Sequence, residues 1–352
     1  MINFAPATSH SLRFGVGDSP ADKAVHLQRL RDGLSVIDAA TRNVSTNLMS
    51  NNSLEHDGTI AGHMFTRQGF AQVCSRLSPN SYSFIKGLNN ADMAEDDITT
   101  LQTHIFNEVW NARGHELDGS TFLVDSTSNK IEAIQSATYG HVSNVDALDM
   151  TIEQLDEGEE LEWYKLNGRS LDVGISEPDK RISIPTTRQP NGETITAVKY
   201  LQNSEDGTSR FQLGIGLYTF ICTNGMRIGK EFNLVSAVHR ANIVDNIRKQ
   251  LGSARDFDMS HVFNNLQMAA ATRLTDELRE KSYTILRDTV GKRQAKAYTS
   301  DEVAFGEEKT PTIYEVFSAM TQDAHARGMD MNKQVELENL AFRYMNKALA
   351  AA

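Results

Sequence analysis

Between Ser19 and Val44 the apolar residues Val25, Leu27, Leu30, Leu34, Ile37 and Val44 recur at helical intervals, which predicts an amphipathic helix. Its start is marked three times over. Ser19 suits the cap, Pro20 the first helical position, and Asp22 the positive end of the helix dipole. Residues 1–18 carry no such period and read as an irregular leader. Residues 50–62 are rich in turn formers and read as a loop. Thr66 to Leu77 fits a short amphipathic helix, broken by Pro79-Asn80. A second helix carries Tyr82, Phe84, Ile85 and Leu88. A third starts at Asp96-Asp97 and runs to about Arg113, where Gly114 can end it.

The period then shortens from helical to alternating. Thr121–Val124 and Ile131–Ile134 form two β-type runs around the turn-like Ser126–Asn129, followed by a short helix near Val145–Leu155. From Leu161 to about Gly229 the pattern is mostly β. It predicts strands at Leu161–Leu166, Leu171–Ile175, Arg181–Ile184, Thr194–Leu201, Ser209–Ile215 and Leu217–Thr223. Asn167-Gly168, Asn191-Gly192, Asp206-Gly207 and Asn224-Gly225 separate them, pairs that tolerate the positive φ of tight hairpins.

After Glu231 the pattern is helical to the end: His239–Leu251, a long segment at about 257–290, a helix capped at Thr310-Pro311 and running to Arg327, and Asn332–Leu349. The expected fold is therefore α+β. N-terminal helices (residues 1–115) lead into a central antiparallel β-sheet meander (116–235), on which long C-terminal helices (236–352) pack.

Composition narrows the class. With 39% hydrophobic and 23% charged residues the chain is of ordinary globular type. No run is long enough for a membrane span, and the first residues lack a secretory pattern, so a cytoplasmic protein is expected. Cys74 and Cys222, far apart and outside any CxxC, are expected to be buried reduced thiols. The net charge of −11 opposes nonspecific nucleic-acid coating, but it is unevenly spread. Residues 91–180 carry an excess of about 15 negative charges, and residues 181–300 an excess of about 6 positive ones.

No familiar catalytic pattern survives inspection. Gly225 to Glu231 has three residues between its glycines rather than four, and Glu231 stands where a phosphate loop needs Ser or Thr. Gly214-Ile-Gly216 and Gly15-Val-Gly17 are incomplete dinucleotide fingerprints, and neither a GxSxG elbow nor an HExxH pair occurs. His56, Asp57 and His63 read as a solvated loop, and the acidic run 156–162 as a solvated turn and strand edge. The segment from Arg240 to Lys296 is rich in cations on helical positions, interleaved with acids. Arg240, Arg248, Lys249, Lys292, Arg293 and Lys296 are the candidates for phosphate contact.

The β region carries a recognisable signature. The block Leu201-Gln-Asn203-Ser204-Glu-Asp206-Gly207-Thr208-Ser209, then Phe220-Ile-Cys222-Thr-Asn224-Gly225-Met226, then His239-Arg240-Ala-Asn242 resembles the phage/plasmid-like family of unknown function, domain of unknown function 932, which includes the YafZ/YfjQ-type prophage proteins. Phe65–Leu77, Ile131–Tyr139 with Asn144, and Tyr314–Thr321 resemble further blocks, although Ser318 stands where asparagine is usual. The resemblance covers about residues 60–345 and implies a setting in mobile elements, without an established activity. As chemistry, the motif reads as structural first. Asp206-Gly207 and Asn224-Gly225 are turns, Asn203 and Ser204 can bond turn backbone, and Cys222 points inward. His239 alone among them has an evident second use as acid, base or phosphate contact.

These features lead to a non-enzymatic protein of mobile-element DNA metabolism, a single-strand binding or annealing factor, acting as a homo-oligomer and without cofactor or metal. Tyr200, Phe211, Tyr218 and Phe220 are candidate stacking residues, with a core role as the alternative. The competing expectation is an acidic interaction protein that meets a host defence or nuclease component through residues 91–180.

Overall fold

A computed structural model describes residues 9–14, 18–46, 52–153, 155, 158–184, 193–219, 224–227, 233–251, 260–304, 310–324 and 331–352. The elements run β1 (Ser9–Arg13), α1 (Pro20–Ala40), β2 (Thr41–Ser45), β3 (Thr59–Ile60), β4 (His63–Phe65), α2 (Arg67–Leu77), α3 (Ser81–Gly87), α4 (Glu95–Arg113), β5 (Thr121–Asp125) and β6 (Lys130–Gln135). They continue α5 (Asn144–Ile152), β7 (Glu160–Asn167), β8 (Ser170–Ile184), β9 (Glu193–Ser204), β10 (Phe211–Thr219), β11 (Asn224–Arg227) and β12 (Asn233–Ala237). The helices α6 (Ile243–Leu251), α7 (Ser260–Ala271), α8 (Asp276–Val290), α9 (Lys292–Tyr298), α10 (Ile313–Ala324) and α11 (Met331–Ala351) follow. The described residues form an α+β fold with two sheets.

The larger sheet has the order β1-β7-β8-β9-β10-β11, with β12 also paired to β10, and all its pairs are antiparallel. Leu213, Ile215 and Leu217 alternate along β10 and so share one face. At one end of that face Leu213 joins a core with Leu171, Val173 and Leu201, covered by Leu30 and Leu34 of α1, Leu148 of α5 and Ile247 of α6. At the other end Ile215 and Leu217 join Ile184 and Ile195 under α7 to α11, where Leu266, Leu286, Phe317 and Met345 are buried. The C-terminal helices thus pack on the sheet as the pattern predicts. The smaller sheet, ordered β2-β5-β6-β4-β3, carries α2, α3 and α4 on an aromatic core of Phe65, Phe70, Phe106, Trp110 and Phe122. Its β4–β6 pair is parallel.

Several expectations need correction. The presumed leader contains β1, which pairs Ser9 to Arg13 with Asn167 to Trp163. An edge strand satisfies its backbone through a distant partner, and no local period announces that. Val44 belongs to β2 rather than to the first helix. The segment 1–115 is therefore not wholly helical, and β1 with α1 folds onto the central sheet. Two pairs of short runs are single strands: β8 is continuous across an irregularity between Ser176 and Arg181, and β10 contains both Ile215 and Leu217. Asn224 and Gly225 lie inside β11, opposite Thr219 and Tyr218, and not at a turn. Cys222 and residues 191–192 fall outside the described residues.

In the C-terminal part, β12 precedes the helices. The 257–290 segment splits at residues 272–275 because Leu274 N–H bonds Pro311 O and Ile313 N–H bonds Thr272 O, while Thr275 caps α8. The cap of α10 is Thr312 rather than Thr310. Its hydroxyl accepts from Glu315 N–H, and Glu315 returns the bond to Thr312 N–H.

Within the acidic run, the described Glu159, Glu160 and Glu162 do not form a solvated edge. Glu162 is fully buried, bonded to Lys23 at 3.0 Å and to Arg181 at 3.3 Å, and Glu160 reaches Lys23 at 3.1 Å. Glu159 pairs with Lys199 at 2.9 Å. Much of the negative charge read there as surface is neutralised inside the fold.

Cys74 is a buried free thiol, its pKa pushed up to about 12 by burial. One turn earlier, α2 lies so close to β6 that a Cβ at Gly69 would sit 2.5 Å from Ile131 O. Gly69→Ala should therefore cost about 1–3 kcal/mol of stability by forcing helix and strand apart. A urea titration with an unshifted midpoint would contradict this close approach.

Candidate binding cleft at the motif turn

The turn from β9 into β10 is built from the signature block. Asp206 accepts from the Ser204 hydroxyl, from Thr208 N–H at 3.1 Å and from the Thr208 hydroxyl at 2.6 Å. Ser204 Oγ also accepts from Thr208 N–H at 3.0 Å. Gly207 then takes φ +73°, with its Cα against the Tyr139 ring. These are the local bonds by which Asp and Ser stabilise a turn. Asn203 does something else. Its amide donates to Val142 O and Asn144 Oδ1, at 3.0 and 2.9 Å, and so grips the entry to α5.

Glu205 lies at the centre, 2% exposed. Arg169, in the β7–β8 turn, donates to Glu205 Oε2 at 3.2 Å, and Asn144 N–H donates to Glu205 Oε1 at 2.6 Å. Asn144 opens α5, so the carboxylate also meets a helix N-terminus. Arg169 in turn donates to Thr41 Oγ1 at 2.7 Å and lies 3.9 Å from Glu132. The turn backbone is held from the other sheet. Gln135 donates to Glu205 O at 2.8 Å, Gln72 to Asp206 O at 2.7 Å, and Tyr139 OH to Ser204 O at 3.1 Å. The signature turn is where the two sheets are joined.

Burial pushes the carboxyls of Glu205 and Glu132 up, against the opposing pull of Arg169. It pushes the Tyr139 hydroxyl up as well, helped by Asp206 and Glu205.

His239, 6% exposed, stacks flat on Tyr139, with 5.1 Å between ring centroids and 2° between planes. Its Nδ1 is 3.1 Å from Gly140 O, which accepts the ring N–H and so assigns the proton to Nδ1. Nε2 is buried and has no hydrogen-bond partner among the described residues. Burial lowers the pKa of this ring. The two rings form one wall of a cavity of about 490 Å³, which continues past the turn to Gln202, Gln212 and Arg210.

Sequence reading placed Asn203, Ser204, Asp206, Gly207 and His239 as motif residues, and the structure brings them to this one junction. Asn224 and Gly225 are away from it, in β11. Arg169, Glu205 and Arg210 were not singled out. Glu205 stands inside the signature and reads as an exposed turn residue, and nothing local announces its distant partner Arg169. Tyr139 and Asn144 were visible only through the family blocks.

The basic candidates form two groups. Arg240 precedes α6, and Arg248 and Lys249 lie in its last turn. Lys292, Arg293 and Lys296 lie on α9. All six are exposed, and none is in an ion pair among the described residues. Neighbouring cations differ: Arg279 pairs with Asp301 at 2.6 Å, Lys281 with Glu277 at 2.9 Å and Arg287 with Asp288 at 2.9 Å. Of the aromatic candidates, Tyr200 and Phe211 are buried in the core. The Tyr218 side chain and Phe220 lie outside the described residues. No helix among the described residues is long and apolar enough to cross a membrane.

The chain is thus an α+β protein whose signature residues knot two sheets beside a polar cleft. A family model described as a domain of unknown function (DUF932) matches residues 133–345, more than half of the chain, and the protein belongs to that family. The match starts after the Phe65–Leu77 block. No solved structure matches the chain.

His239 makes the junction sensitive to acid. In the unfolded chain the ring titrates near 6.5, and in the folded chain lower. Between the two values the unfolded state holds the extra proton, so stability falls as pH drops from about 6.5 through that window. Glu205 and Glu132 act with opposite sign. Their folded values lie above 4.5, so their contribution is lost as pH rises through their own window. Urea midpoints at pH 7.5 and 5.5 should therefore fall less in His239→Phe, which keeps the ring stack, than in the wild type. Equal losses would remove His239 as the acid-sensitive group.

Proposed function

We propose that the protein is a non-enzymatic component of mobile-element DNA metabolism that binds single strands through the cations flanking α6 and on α9. The observation that carries this reading is the contrast among the cations. Arg240, Arg248, Lys249, Lys292, Arg293 and Lys296 are exposed and outside any ion pair among the described residues, whereas Arg279, Lys281 and Arg287 are held by neighbouring acids. A lysine or arginine without a carboxylate partner keeps its charge available for phosphate, and each phosphate it neutralises releases condensed counterions. The mobile-element setting follows from the resemblance of the signature block to phage- and plasmid-borne proteins.

The two basic groups lie on separate helices, and the net charge is −11. Assembly of several copies in the host cytoplasm would align many such groups along one strand and raise affinity through avidity. Stacking on Tyr200 or Phe211 is not part of this reading, because both are buried. The acidic alternative, capture of a host defence or nuclease component, loses Glu159, Glu160 and Glu162 to internal ion pairs. It keeps the exposed Asp92, Glu95, Asp96 and Asp97 at the start of α4.

Binding to an oligothymidylate across a salt series tests the proposal. The log–log slope should be roughly −0.7 per phosphate contact, and substituting Lys292, Arg293 and Lys296 together should flatten it by about 2 units. An absence of binding at low salt discards the nucleic-acid function. Binding with an unchanged slope in the triple variant moves the contact surface away from α9.

A further inference from the structure

The cleft beside the signature turn has the makings of a ligand site of its own, lined by none of the six basic candidates. Its volume of about 490 Å³ lies within the range of roughly 300–1,000 Å³ typical of small-molecule sites. Its polar groups are of four kinds. Gln202 and Gln212 are directly opposite one another in the β9–β10 pairing, so both carboxamides leave the same face of the sheet into the cleft. The half-buried Gln212 carboxamide offers an acceptor and two donors in one plane, whereas the buried Gln202 already has a partner within the protein. Arg210 lines the cleft from just before β10, exposed, and its one hydrogen bond among the described residues is a long one of 3.5 Å to Ser236 Oγ. His239 closes the opposite wall, with Nε2 as a bare acceptor. Ser209, also in the lining, has a buried hydroxyl with no partner among the described residues.

Two unsatisfied buried polar groups in the lining of one cavity are costly unless something that enters it bonds to them. The required occupant can be described from the wall. It has a negative group for Arg210, since no acid lines the cleft among the described residues. It has a planar edge that both donates and accepts, for the Gln212 carboxamide. It has an N–H or O–H to give to His239 Nε2. Asp172 is buried on β8, opposite Gln202 in register, and its carboxylate disfavours a second negative charge at that end. The anionic group is therefore confined to the Arg210 end, and the neutral planar part to the Gln202–His239 end.

We propose that this cleft binds a nucleotide, with the phosphate at Arg210 and the base edge read by Gln212 and His239. The choice of a nucleotide over another small anion of this shape rests on the strand-binding reading, but the cleft itself does not depend on α6 or α9. Glutamine is a good fit to a base because its carboxamide can donate and accept in parallel to one edge. Within a bound strand this would be the one nucleotide held by its base, while the remaining contacts are to phosphates.

The test is calorimetric titration of the full-length protein with each of the four deoxynucleoside monophosphates, the matching nucleosides and inorganic phosphate. At least one monophosphate should bind more tightly than its nucleoside and more tightly than phosphate. Arg210→Gln, a change at an exposed position, should weaken that binding by about tenfold or more, the usual worth of a charge-assisted hydrogen bond. The nucleoside should be unaffected by the same change. On binding, the Nε2 resonance of His239 should shift as it gains a donor. The proposal is overturned if no monophosphate binds at millimolar concentration, if phosphate alone binds as tightly as the nucleotide, or if Arg210→Gln changes nothing. Loss of oligothymidylate binding in the triple lysine–arginine variant, with nucleotide binding retained, would leave this site standing. Strand binding without any nucleotide binding would remove the site and leave the strand reading.

Discussion

The buried pair of Arg169 and Glu205 is the constraint around which the rest of the molecule is arranged. Each is nearly sealed from solvent. An isolated charge there would carry a desolvation penalty of several kcal/mol, and breaking such a pair on one side commonly costs about 3–5 kcal/mol. The pair is tolerated because every nearby element contributes a polar group. Thr41 leaves α1 beside the guanidinium, Asn144 presents a helix-opening N–H to the carboxylate, and Gln135 reaches the backbone of Glu205 from the smaller sheet. Geometry of this kind fixes the relative placement of two sheets whose apolar cores are otherwise separate. Apolar contacts supply the bulk of the stabilisation and little direction, while the polar junction supplies the direction.

Local pattern revealed most of the elements and few of their partnerships. α1 was legible because a capping side chain and a helical period coincide at Ser19, and α2 because its apolar residues fall on one face ahead of Pro79-Asn80. The β5–β6 hairpin was legible because two short apolar, β-type runs flank a turn-like Ser126–Asn129. β1 was not, because a strand of five residues at a sheet edge makes its bonds to Asn167–Trp163, and nothing in Ser9–Arg13 encodes that address. The acidic run misled for a related reason. Charge near a turn reads as surface, but Lys23, Lys199 and Arg181 come from far along the chain to meet it. At the signature turn, Asp206 and Gly207 were readable as turn chemistry. Asn203 and Glu205 were not readable, since their partners Asn144 and Arg169 are brought near by tertiary structure alone.

The same junction separates two roles within one short block. Ser204, Asp206 and Thr208 face inward upon each other and settle the shape of the turn. Gln202, Ser209 and Arg210 flank it and face the cleft. His239 serves both, since one ring nitrogen is tied to Gly140 and the other is left open. A rigid turn of this sort is a good foundation for recognition, because side chains mounted beside it are held in position before anything arrives.

The order of strands also has a consequence for how the chain is assembled. The larger sheet begins with β1 and α1, is interrupted by everything from β2 to β6, and resumes at β7. The smaller sheet with α2, α3 and α4 is thus an insertion, and it leaves and rejoins the main body near the same spot, at Thr41 and Gln135. During synthesis the insertion can close on itself once Gln135 is made, because its strands pair with one another within residues 41–135. The amino-terminal strand must wait with its edge uncovered until the ribosome has passed Asn167.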